Sequence, residues 1–149
     1  MRFYFKSPLI IDISITWKCN FNCLHCLYSC SKNSPEMNLK IIKRIIREAK
    51  EMDTFAISIN GGEPTLHPNF WEILKYIDKL GMEIVLTTNG STISEKELKK
   101  FQNLKNFSCI RFSLDSLNKE FYEWFRGRKG FFEKVIKNIK TATKFNYQV

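Results

Sequence analysis

Two hydrophobic periods alternate along the chain. Apolar and polar residues alternate at Leu9–Ile15, Phe55–Asn60, Glu83–Thr88 and Cys109–Leu114, and each run predicts a strand. Between these runs the apolar spacing opens to three and four residues, the period of a helix with one buried face. Leu39–Met52 carries Ile42, Ile45, Ile46 and Ala49 on one stripe, and Asn69–Leu80 carries Phe70, Ile73, Leu74 and Ile77. Ser94 and Glu97 form a capping box that opens a third helix ending near Phe101. A short helix over Lys119–Phe125 precedes a longer one over Phe131–Thr143, striped by Phe132, Val135, Ile136 and Ile139. Gly81 stands where a helix C-cap is wanted, and Tyr147–Val149 begins a fifth strand.

Strand–helix alternation at this spacing means right-handed βαβ units and a parallel sheet, either doubly wound or part of a barrel. The strand faces choose between them. Ile11, Ile13 and Ile15 oppose Asp12, Ser14 and Thr16; Phe55, Ile57 and Ile59 oppose Ala56, Ser58 and Asn60. Ile84 and Leu86 oppose Val85, Thr87 and Asn89, while Ile110, Phe112 and Leu114 oppose Arg111, Ser113 and Asp115. Strands covered on both faces read as continuously apolar, and a closed barrel fills its interior with bulky branched residues. Here one face is bulky and the other small and polar. The expectation is an α/β fold, a partial (β/α) TIM-like barrel of about four β/α units plus the start of a fifth strand, with a polar hollow.

The ends of such strands carry the chemistry. After the first comes Thr16–Cys26, with Cys19, Cys23 and Cys26 in a C-x3-C-x2-C array. Three thiols this close are badly matched to a disulfide, which would leave one over, and suit a metal or cluster selected by soft thiolates. Cys30 follows by four residues, so a four-cysteine cluster and a zinc loop stay open at this point, as does an ordinary loop thiol. Gly61-Gly62-Glu63-Pro64 follows the second strand, where two residues without Cβ allow close backbone approach to a ligand. Thr87-Thr88-Asn89-Gly90 follows the third, and Ser113 and Asp115 stand on the polar face of the fourth. Tight turns and lumen lining account for these three equally when each is taken alone. Cys109 reads as core, and His67 and Pro68 as the start of the next helix.

Taken together and in this order, the cysteine array, GGEP, TNG and the Ser113-Leu114-Asp115 element resemble the signature of the radical S-adenosylmethionine (radical SAM) superfamily. Phe125-Arg126-Gly127 through Phe131 resembles a stretch in its peptide- and cofactor-maturing branch, whose members often carry SPASM or Twitch extensions. The resemblance implies a 4Fe–4S cluster on Cys19, Cys23 and Cys26, with its fourth iron open to S-adenosyl-L-methionine (SAM). It implies SAM contacts from Gly61, Gly62, Glu63, Pro64, Thr88, Asn89, Ser113 and Asp115, with His25 beside the adenine. Arg126 stands between a carboxylate contact and a solvated loop. The implied reaction is reductive cleavage of SAM to a 5′-deoxyadenosyl radical that abstracts hydrogen from a substrate, driven by an external reductant of ferredoxin or flavodoxin type. The competing class is a non-catalytic iron–sulfur module that carries electrons or senses redox state. Cores of this family usually have six β/α units, so residues 1–149 read as one incomplete core domain. The matching expectations are a fragment of a longer enzyme, inactive by itself, or a partner chain or second copy that completes the sheet, and turnover by this chain alone is not expected.

Composition changes this picture little. The 149 residues, 44% of them apolar, make one domain with a real core. No run approaches the roughly 18 apolar residues of a membrane span, and the N-terminal stretch lacks a leader's small-residue cleavage site. Five cysteines without an export signal imply a reducing cytoplasm. The net charge of +9 comes from lysines spread over helix faces, with no basic block of interleaved aromatics, so nucleic acid is not the expected partner.

Overall fold

The computed structural model describes residues 7–28, 30–145 and 147–149; the stretch weighed above for a leader lies partly outside them. Strands β1 (Ile10–Thr16), β2 (Ala56–Gly61), β3 (Glu83–Thr88) and β4 (Phe107–Phe112) form one sheet in that order, every neighbouring pair parallel. Sequential parallel order is that of a barrel; a doubly wound sheet reverses past its first strand. The fold is α/β, a partial TIM-like barrel. Its helices are α1 (Leu39–Glu51), α2 (Phe70–Lys79), α3 (Glu95–Phe101), α4 (Lys119–Phe125) and α5 (Phe132–Ala142). These match the predicted spans, the residues at issue (Met52, Asn69, Leu80, Phe131 and Thr143) being caps.

The bulky strand faces do what their pattern requires except at Phe55, which falls one residue before β2 and is exposed. Ile13, Ile15, Ile57, Ile59, Ile84, Leu86 and Ile110 join one core cluster with the stripes of α1, α2 and α3. Across the opposite face run register rows of small or polar residues, among them Asp12–Ser58–Val85–Cys109 and Ser14–Asn60. Asn60 ties its row to the next, accepting from Ser14 Oγ at 2.7 Å and donating to Asp12 at 3.1 Å. Cys109, expected in the core, is instead only half-buried on this face, because period-two alternation turns it opposite to Ile110.

β4 also departs from its predicted bounds, starting and ending two residues early. Phe107 and Ile110, three residues apart, both enter the core. A register shift against β3, between Ile84 and Val85, changes the parity and lets both side chains face the helices. The Phe107 ring stacks on Phe101 at 4.4 Å, which holds this early start. Residues 147–149 pair as a fifth strand begins: Ile110 N–H donates to Gln148 O and Gln148 N–H to Ser108 O, each at 2.9 Å. The outer edge of β4 is thus met in part by the chain itself.

His67 does not open α2 as expected. It is buried behind a short 3-10 turn (Pro64–Leu66), where Nε2 lies 3.0 Å from Met37 O and Nδ1 accepts from Asn69 N–H at 3.1 Å. Among the described residues no helix is long and apolar enough to cross a membrane.

Candidate functional site

Four segments leave the C-terminal ends of the four strands and meet. The cysteine loop is strung beside β1: Cys19 N–H donates to Ser31 O at 3.0 Å and Trp17 N–H to Pro35 O at 2.9 Å. Its middle is held by the end of α4, where Leu24 N–H donates to Phe125 O at 2.9 Å and the His25 ring stacks on Phe125 at 4.3 Å. Gly127 makes this junction, since a Cβ there would lie 2.0 Å from Asn22 O. Gly127→Ala should therefore push α4 off the loop, destabilising the chain by about 1–3 kcal/mol as overpacking does. Hydrogen exchange accelerating at Leu24, with α1 unaffected, would identify that junction as the point of failure.

The glycines after β2 have a more specific role than the sequence suggests. A Cβ on Gly61 (φ +140°) would fall 2.2 Å from Thr16 O, and one on Gly62 would fall 2.4 Å from Lys18 O. The backbone that approaches so closely is the start of the cysteine loop. Gly62 N–H and Glu63 N–H donate to those two carbonyls, each at 2.8 Å.

Glu63 joins three segments. Its Oε1 accepts from Thr65 Oγ1 at 2.6 Å, Thr88 Oγ1 at 2.8 Å and Thr65 N–H at 3.3 Å, and its Oε2 accepts from Asn89 N–H at 2.7 Å. The side chain is fully buried, and burial holds its carboxyl above the ordinary value against the pull of these donors. Asn89 continues the chain of contacts, its Nδ2 donating to Asn20 Oδ1 at 2.9 Å and reaching Cys19 Sγ at 3.9 Å. Cys19 Sγ also accepts from Phe21 N–H at 3.4 Å; burial raises this thiol and that hydrogen bond lowers it.

Arg126, at the end of α4, is 7% exposed. Its Nε lies 2.5 Å from Asp115 Oδ2, an ion pair whose N–H is not aligned as a hydrogen bond, and its Nη1 donates to Cys23 Sγ at 3.7 Å. The solvated-loop reading of Arg126 is thereby corrected: the side chain turns inward because a carboxylate and a sulfur both lie there.

These segments enclose a cavity of about 160 Å³. Cys19, Cys23, Cys26, His25, Gly61 and Gly62 line it, with Thr88, Asn89, Ser113 and Arg126. Three predicted site residues do not reach it: Glu63 and Pro64 are buried behind its wall, and Asp115 faces Arg126. Phe21, Asn60, Thr87 and Cys30 line it as well. Asn60 and Thr87 were legible as the last polar-face positions of their strands; Phe21 carried no sequence signal. Cys30 is buried among Cys19, Phe21, Tyr122 and Phe132, and burial followed by the Cys26 sulfur pushes its thiol up to about 11.

The donor set suits a cluster better than a single ion. Three thiols around one cavity would be soft ligands that a cubane can use on separate irons. The Tyr122 hydroxyl is buried without a hydrogen-bond partner, in the same packed cluster as Cys19 and Cys30. A buried O–H left unmet costs about 1–3 kcal/mol, although Tyr122 packs behind the cavity and does not line it.

A family model described as the radical SAM superfamily matches residues 13–149. The chain is 30% identical over 142 residues to the mycofactocin maturase MftC of Mycolicibacterium smegmatis, covering 95% of this chain and 36% of that protein. It is 33% identical over 140 residues to the antilisterial bacteriocin subtilosin biosynthesis protein AlbA of Bacillus subtilis, covering 91% and 31%. Among solved structures, Streptococcus suis SuiB bound to S-adenosylmethionine aligns with a TM-score of 0.78 at 25% identity, over 93% of this chain and 32% of that one. The chain thus spans about a third of the length of these relatives.

Proposed function

This chain belongs to the radical SAM superfamily, and on that footing we propose that residues 1–149 act as a single domain that binds a 4Fe–4S cluster and SAM for radical chemistry. The observation that carries the reading is the convergence of Cys19, Cys23 and Cys26 with Gly61, Gly62, Thr88, Asn89 and Ser113 on one cavity. Cys19, Cys23 and Cys26 would hold the cluster. Once bound, the cluster and SAM supply the hard chemistry, a one-electron cleavage to methionine and a 5′-deoxyadenosyl radical that abstracts hydrogen from substrate.

The chain's own residues position and screen. Gly61 and Gly62 line the cavity on a turn that the Gly62 and Glu63 N–H groups tie to Thr16 O and Lys18 O, and their carbonyls would serve there as acceptors. The ammonium of SAM needs such acceptors once it leaves water. Thr88, Asn89 and Ser113 offer hydroxyl and amide groups for the ribose and carboxylate, and His25 offers a ring and backbone for the adenine. Glu63 acts from behind the wall by fixing Thr88 and Asn89, and Pro64 by starting the turn that carries Thr65. Bulky aromatic side chains, among them Phe21, bury Cys19, while Cys23 and Cys26 stay half-buried at the mouth of the cavity.

The electron comes from an external carrier of ferredoxin or flavodoxin type, in a reducing cytoplasm. A peptide is the proposed substrate class, SuiB, whose fold this chain shares, being solved with a bound precursor peptide. The test is anaerobic reconstitution with iron and sulfide, followed by addition of SAM to the reduced protein. A cluster whose electron paramagnetic resonance (EPR) spectrum changes with SAM supports the reading. A cluster indifferent to SAM at saturating concentration would refute it in favour of an electron-transfer module.

A further inference from the structure

One contact in the pocket does no work in joining loops. Arg126 reaches 103 positions back along the chain to place Nη1 3.7 Å from Cys23 Sγ. Of the described residues lining the cavity it is the one arginine or lysine. Its position is set from two sides, by Arg126 N–H donating to Tyr122 O at 2.8 Å and by Asp115 Oδ2 at 2.5 Å from Nε. A guanidinium is charged at every accessible pH, so a fixed positive charge stands beside this sulfur, nine-tenths buried.

We infer that Arg126 is a positioning residue that sets the reduction potential of the site: held by Asp115, it donates to the Cys23 sulfur and so governs how readily a cluster bound there accepts its electron. This rests on the function proposed above. Gaining one electron makes the cluster and its three thiolates one unit more negative. A buried cation a few ångströms away favours that reduced form, and an N–H···S hydrogen bond adds to the effect. Asp115 works in the other sense. It anchors the guanidinium by its Nε edge, while its negative charge offsets part of the field that Arg126 exerts. The two residues should therefore move the potential in opposite directions.

The experiment is an EPR-monitored redox titration of the full 149-residue chain, reconstituted anaerobically and kept free of SAM. Without SAM present, no shift can come from lost recognition of its carboxylate. Arg126→Met should lower the midpoint potential, Arg126→Lys should lower it less, and Asp115→Asn should raise it. General loosening of the pocket gives no such pair of opposite signs. Midpoints that stay at the wild-type value, or that move together in one direction, overturn the inference. If Arg126→Met assembles no cluster, Arg126→Lys decides alone: a lowered midpoint upholds the inference, and an unchanged or raised one overturns it. A wild-type chain that takes up no cluster overturns the proposed function as well. A wild-type cluster with unmoved midpoints in the variants overturns only the role of Arg126.

Discussion

Cys19→Ala, Cys23→Ala and Cys26→Ala, each made singly, should abolish the 4Fe–4S absorbance and the iron and sulfide content of the reconstituted chain, while Cys30→Ala should retain them. The first three sulfurs come from a loop whose path is fixed by β1, by the Gly62 and Glu63 N–H bonds to Thr16 O and Lys18 O, and by Phe125. Two of them already accept hydrogen bonds from N–H groups, Cys19 from Phe21 and Cys23 from Arg126. A cubane held by three thiolates keeps one iron open; loss of a further ligand leaves two, too few to retain it. Because the loop is anchored by backbone contacts, the variants should stay folded, with circular dichroism unchanged. Cys30 lines the same cavity but packs into the apolar cluster with Phe21, Tyr122 and Phe132, which accounts for its burial. A Cys30→Ala protein without cluster would restore the four-cysteine reading, and stoichiometric zinc with no brown colour in the anaerobically purified wild type would restore the zinc loop.

Glu63→Ala should destabilise the chain by about 3 kcal/mol or more, because the carboxylate's donors are left in a buried site. Those donors come from three places in the sequence: Thr65, Thr88 and Asn89. For a chain of this size that is a fall in Tm of roughly 6–12 °C or more, readable by calorimetry. Loss of SAM binding should accompany it, since Thr88 and Asn89 lose the group that orients them. The pH dependence has a definite sign. Burial holds the Glu63 carboxyl above its ordinary value of 4.5, so the folded chain binds that proton more tightly than the unfolded one. The stabilisation this brings is complete below the unfolded value and disappears as pH rises through the folded-state value. Tm measured upward from pH 4 should carry this decline in the wild type, and Glu63→Gln should lack that part of the slope. Equal slopes in the two proteins would show that Glu63 titrates alike whether folded or not.

Much of this site was legible before any coordinates, though the reasons attached to its residues were not all the right ones. Gly61 and Gly62 were expected to admit a ligand; what presses against them is the backbone of Thr16 and Lys18. Glu63 was expected to contact SAM, yet its oxygens are taken by four donors of the chain. Arg126 stood evenly between solvent and ligand on its sequence, because nothing in the surrounding residues signals that Asp115 and Cys23 lie within its reach. The early start of β4 was hidden for a similar reason. Phe107 and Ile110 break strict alternation, and only a register shift against β3 reconciles them.

What the amino-acid order determined by itself was everything that depends on neighbours a few positions apart: the helix stripes, the bulky and polar strand faces, the capping box and the three-cysteine spacing. Periodicity is a local property, and burial of one face against another follows from it without knowledge of the partner. Which partners meet was decided by the tertiary structure alone. Cys23 and Arg126, Glu63 and Asn89, and Gly61 and Thr16 are each brought together by the sheet order, which places four strand ends side by side. A hydrogen bond or a buried charge takes its energy from an atom within a few ångströms, and that distance exists only after the chain has closed.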